Sequence, residues 1–207
     1  MRAMLRILGA LSEVFSSLVR AMLCILGALG EVTQIDGEGK QEVMKAFNKV
    51  IFVGKRATCR EPMAMALLRN EPLWHPVEVE SRGLVVLFPE PLNQKAEAVM
   101  ISRGLNLPDY MSVQLESSDF SEDTLVLTFD QEIRGKVMEL EGAQNVYVLT
   151  DVTGDELEIM DPYGGDVMSY GLCMETLANT IRKLAEVLNE RSFFFDEEVT
   201  EEIEKES

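Results

Sequence analysis

The segment 51-IFVGKRATCREPMAMALLR-69 runs from an apolar, β-branched stretch through a short polar turn into a helix-forming run. A strand that leaves through a tight loop directly into a helix N-terminus can hold an anion, because the first amides of the helix have no partner inside it. The turn adds Lys55, Arg56 and Arg60 within six residues. That local excess stands out in a chain with 19 Lys and Arg against 36 Asp and Glu, net −17. A surface so acidic repels nucleic acid and anionic lipid, so any anion site has to be local.

Outward from this segment, apolar runs alternate with helix-periodic ones. Strands are expected at 49–53, 77–81, 124–129 and 145–150, and helices at 63–70, 92–104, 131–140 and 171–190. Strands separated by helices imply right-handed crossovers and a parallel, doubly wound sheet, with the ligand beyond the carboxyl ends of the strands. Three cysteines, Cys24, Cys59 and Cys173, are too scattered for a disulfide framework or a zinc site and suit a reducing compartment, so a cytoplasmic location is expected. His75, the one histidine, lies between prolines and reads as a loop residue.

The first forty residues differ in character. The segments 2-RAMLRILGALSEV-14 and 20-RAMLCILGALGEV-32 nearly repeat at an offset of 18 residues, five turns of α-helix, with a narrow polar stripe and a wide apolar face. Glu13 and Arg20 disfavour a membrane span, and Glu13 also interrupts the apolar region a signal peptide would need. The segment reads as an amphipathic helical extension that covers the chain's own domain, drives homo-oligomerisation or lies on a membrane surface, with 33-TQIDGEGK-40 as connector. The expected organisation is an extension and linker over 1–40, an α/β domain over 41–192 and an acidic tail over 193–207, which carries seven carboxylates against one lysine after three phenylalanines.

Four local patterns, in order, resemble the low-molecular-weight protein tyrosine phosphatases. The opening segment is similar to that family's V-C-x-G-N-x-C-R-S-P-M-A. Residues 81-SRGL-84 are similar to its S-A-G-T, 112-SVQLESSDFSEDTLVLTFD-130 to its S-x-x-L segment leading into a strand, and 161-DPYGGD-166 to its D-P-[FY]-G turn. The resemblance covers about residues 48–190 and implies a three-layer α/β sandwich with a four-stranded parallel sheet. It also implies a phosphate or phosphotyrosine ligand and no cofactor or metal.

In such a site a thiolate attacks the phosphoryl group, loop amides and an arginine grip its oxygens, and an aspartate protonates the leaving group. The resemblance assigns the phosphate-binding loop to Lys55, Arg56, Ala57, Thr58, Cys59 and Arg60, the general acid to Asp161 and a pocket wall to Tyr163. The departures fall on the reactive positions. Gly54 stands at the nucleophile position, Ala57 replaces asparagine, and Glu61 replaces the hydroxyl residue. Glu61 is expected to weaken phosphate binding unless Lys55, Arg56 or Arg60 pairs with it. Cys59 matches the family's second loop cysteine and lies on the wrong side of the cradle for in-line attack. These residues point to a pseudophosphatase that binds phosphate or phosphotyrosine. The alternatives are a phosphomonoesterase of reduced activity using Asp161, and an assembly protein acting through its N-terminal helix.

Overall fold

The computed structural model describes residues 32–35, 41–44 and 47–190 of the chain, the first two stretches by their backbone. The helical extension expected over 1–32 lies outside the described residues except for Val32, and the acidic tail expected from 193 lies outside them altogether. Contacts divide the chain into a unit over Met1–Met44 and a unit over Lys45–Ser207.

In the first unit, β1 (Val32–Ile35) pairs antiparallel with β2 (Gln41–Met44). Part of the stretch read as a connector is therefore a strand. The two glycines of 33-TQIDGEGK-40 drew that reading, whereas V-T-Q-I ahead of them alternates and is β-branched, which favours a ladder.

The second unit is the expected three-layer sandwich. Its strands are β3 (Lys49–Gly54), β4 (Glu78–Gly83), β5 (Thr124–Thr128) and β6 (Val146–Val148), in the order β4-β3-β5-β6 and parallel throughout. The helices are α1 (Arg60–Asn70), α2 (Gln94–Ser102), α3 (Gln131–Met138), α4 (Leu149–Thr153) and α5 (Val167–Glu190). Several boundaries moved: the helix expected from 63 already starts at Arg60, the strand expected over 77–81 runs over Glu78–Gly83, and two further shifts have a local cause. The strand expected over 145–150 stops at Val148, because Leu149 already starts α4. The long helix starts at Val167, within the first turn capped by Asp166, whose carboxylate accepts from the Ser169 amide.

Alternation along the central strands sorts the core into two layers. Val50 and Phe52 of β3 join Leu125 and Leu127 of β5 on one face, against Met63, Ala64 and Leu68 of α1 and Met174, Leu177 and Ile181 of α5. Ile51, Val53 and Val126 point to the other face, against Ile133 and Val137 of α3. Both faces of β3 are covered, which is why it reads as an unbroken apolar run. Each fully buried side chain of this size contributes about 1.5–3 kcal/mol. The central strands thus hold the loop after Gly54 at the carboxyl edge of a rigid sheet.

Candidate active site

The loop 54–60 connects β3 to α1. Its backbone is pinned from the neighbouring strand, since the amide of Leu84 donates to Gly54 O at 2.9 Å and that of Val85 to Lys55 O at 3.0 Å. Gly83 permits this approach, because a Cβ there would stand 2.9 Å from the Arg56 carbonyl carbon. Ala57 adopts φ +55, the left-handed region that asparagine tolerates better than alanine. Its carbonyl accepts from Tyr110 Oη at 2.5 Å, and Tyr110 Oη also shares a hydrogen bond with Ser81 Oγ at 2.8 Å. Ser81, read as part of the S-x-G pattern, therefore supports the loop through a tyrosine that the sequence did not single out. Burial pushes the Tyr110 hydroxyl up to about 12.

Arg60 opens α1 and is 5% exposed. Its guanidinium donates to the Ile159 carbonyl at 2.6 Å and to Asp130 at 3.4 Å, lies 3.5 Å from Asp161 and faces the Phe129 ring at 5.1 Å. Its Nε is buried without a hydrogen-bond partner. Asp161 thus stands beside the arginine, and its carboxylate also caps the turn by accepting from the Tyr163 amide at 3.0 Å. Tyr163 accepts from Arg56 at 3.1 Å, and the Arg56 guanidinium stacks 5.1 Å from its ring. Lys55 is exposed.

One residue did not follow expectation. Glu61 does not project against an incoming anion from outside. It is 4% exposed and folds back into the loop, with Oε1 1.6 Å from where a Cβ on Gly54 would stand. The position expected to be vacant is filled by a carboxyl group. Burial pushes Glu61 above the usual carboxylate range, while the Arg60 charge and the amides of Glu61 and Cys59 pull it down. Lys55 and Arg56 do not supply the counter-charge. Cys59 is buried, with Sγ 3.5 Å from Tyr170 Oη and 3.8 Å from Thr58 Oγ1. Burial raises its thiol, outweighing those hydrogen bonds, so Cys59 lacks the thiolate character of a nucleophile.

A parallel sheet in this order, a strand-loop-helix cradle and an arginine and aspartate facing each other across it match one profile. The low molecular weight phosphotyrosine protein phosphatase family aligns with residues 49–193. The chain belongs to that family. A protein-arginine-phosphatase of Geobacillus stearothermophilus is 31% identical over 143 residues, 68% of this chain and 95% of that protein. The low molecular weight protein-tyrosine-phosphatase PtpB of Staphylococcus epidermidis is 29% identical, covering 59% of this chain and 86% of its own length. The structure of the YwlE arginine phosphatase from Geobacillus stearothermophilus superposes with a TM-score of 0.62 at 29% identity, covering 76% of this chain and 96% of that one.

Within this member of the family, Asp130 and Ile159 are site residues that sequence reasoning missed. Asp130 is visible only as the last letter of the motif ending LTFD. Its carboxylate has two tasks, accepting from the Ile133 amide at 2.8 Å as the N-cap of α3 and pairing with Arg60. Among the described residues no group of three or more His, Cys, Asp or Glu is placed to hold a metal ion, and no helix is long and apolar enough to cross a membrane. A groove of about 420 Å³ lies along α1 and β4, lined by Arg69, Asn70 and Met111 among others, with no residue of the 54–60 loop in its wall.

Proposed function

We propose that the chain is a catalytically silent low-molecular-weight phosphatase, acting by binding rather than turnover. One observation carries this reading: glycine stands at the position the motif reserves for the attacking cysteine, and a carboxyl group occupies the space its side chain would fill. Without a thiolate there is no covalent phosphoenzyme, and the other thiol of the loop is buried and raised. Arg60 is kept because it ties α1 to the Ile159 carbonyl and to Asp130, a structural task that survives the loss of chemistry. The relatives' names point to phosphoarginine or phosphotyrosine as the group a binding role would recognise.

A second reading, slow hydrolysis with Asp161 as general acid, is favoured by the 3.5 Å approach of Asp161 to Arg60. Hydrolysis of an aryl phosphate and of phosphoarginine by the native chain decides between them. Silence in both supports the proposal. Turnover above background that Asp161→Ala abolishes contradicts it. Assembly through residues 1–32 is a separate proposal resting on the 18-residue repeat, and sedimentation of the chain with and without residues 1–40 tests it.

A further inference from the structure

Gly54 and Glu61 are separate departures from the motif in sequence, but in space they are one. A Cβ on Gly54 would meet Glu61 Oε1 at 1.6 Å, Cδ at 2.5 Å and Cγ at 3.0 Å. Real Cβ atoms do not approach a neighbour so closely, so no residue other than glycine fits while Glu61 keeps this rotamer. Gly54 is not required by the backbone, because it is absent from the positive-φ positions. What demands a glycine is the carboxyl group.

That group sits where the loop is built to receive an anion. Cys59, Arg60 and Glu61 carry amides at the N-terminus of α1, an 11-residue helix whose N-cap makes no side-chain hydrogen bond. Helix N-termini favour negative charge and leave their first N–H groups open. Here burial raises Glu61, while the charge of Arg60 and the amides of Glu61 and Cys59 pull in the other direction. Arg60, only 5% exposed, still has one buried N–H, Nε, without an acceptor. The loop is therefore filled by a carboxyl group from its own chain, and the arginine beside it retains capacity for an oxygen that the carboxyl does not supply.

We infer that Glu61 is a built-in occupant of the oxyanion cradle, closing a latent site for a tetrahedral oxyanion such as phosphate or a phosphate monoester. The inference rests on the silent-phosphatase reading and extends it, since it predicts that simple phosphate binds weakly: the carboxyl and the phosphoryl oxygens compete for the same amides and for the charge of the same arginine. Removing the carboxyl opens the site without needing a nucleophile. It also makes Gly54 replaceable, because the two side chains compete for one volume.

The test uses the full chain with inorganic phosphate as probe, chloride at matched ionic strength as control, and Glu61→Ala and Glu61→Ser as variants. Phosphate affinity by calorimetry should rise at least tenfold in the variants, and Arg60→Lys introduced into the Glu61→Ser chain should remove the gain. Phosphate bound by the native chain as tightly as by the folded variants overturns the inference, as does folded Glu61→Ser that binds no phosphate. A second measurement needs no ligand. Gly54→Ala should destabilise the native chain and do so far less in the Glu61→Ser background, a coupling read from denaturant midpoints. Equal effects in both backgrounds overturn it. Native turnover would sink the silent-phosphatase reading alone, whereas the binding and coupling results decide this one.

Discussion

Glu61 Oε1 lies 1.6 Å from the place of a Cβ on Gly54, so position 54 cannot carry a side chain while Glu61 is seated. The two departures compensate for each other, and predictions about either residue have to include the other.

Protonation of Glu61 sets the first prediction. Its folded-state pKa is raised from 4.5, chiefly by burial. Between 4.5 and the raised value the folded chain binds more protons than the unfolded chain, so stability from this group falls as pH rises through that window. Glu61→Gln removes the dependence. The unfolding free energy of the variant relative to native should therefore climb from pH 4.5 upward, measured by urea titrations at several pH values. A constant difference across the window contradicts the burial of this carboxyl.

Arg60 is predicted to be structural as well as ligand-facing. Arg60→Ala strands the Ile159 carbonyl and leaves Glu61 and Asp130 without their buried counter-charge. Removing one partner of a buried pair costs about 3–5 kcal/mol. Chemical denaturation should show a loss of that order, and a change under 1 kcal/mol would mean that the guanidinium is not holding α1 to its neighbours.

Ala57 is strained at φ +55. Replacement by asparagine, the residue at this place in the family motif, should stabilise the chain by about 1 kcal/mol, because the left-handed region costs most residues about 1–2 kcal/mol. Valine at the same position should destabilise it. Tyr110→Phe removes the hydroxyl that joins Ala57 O to Ser81 and should cost about 1 kcal/mol. Thermal unfolding orders the variants, and an Ala57→Asn chain less stable than native would contradict the strain.

Much of this arrangement is legible from residues alone. Apolar runs gave β3 and β5 to within a residue, because strands covered on both faces carry little else. The motifs singled out Arg60 and Asp161 separately, and their 3.5 Å approach is visible only in the fold. What was not legible depends on rotamers. Composition shows Glu61 as a carboxylate facing an anion site, and only the fold shows it turned into the space above Gly54. Tyr110 is equally silent in sequence, since it reaches Ala57 from a loop 53 residues away. The end of β6 was missed because 145-NVYVLT-150 stays β-branched while the chain turns into α4.

Cys59 should behave as an inert thiol. It is buried beside Tyr170, and burial raises it. Alkylation by iodoacetamide at neutral pH, followed at the Cys59 peptide by mass spectrometry, should be slow in the folded chain and rapid in denaturant. Modification in the folded chain at the rate of an exposed thiol would reopen Cys59 as a nucleophile.

The most direct measurement is aryl phosphate hydrolysis by four chains: native, Gly54→Cys, Glu61→Ser, and the two substitutions combined. A cysteine alone has to displace Glu61, and a serine alone supplies no thiolate, so the account predicts turnover above background only in the combined variant. Gly54→Cys as active as the combined variant would contradict a cradle closed by its own glutamate, and turnover by native would contradict the silent-phosphatase reading.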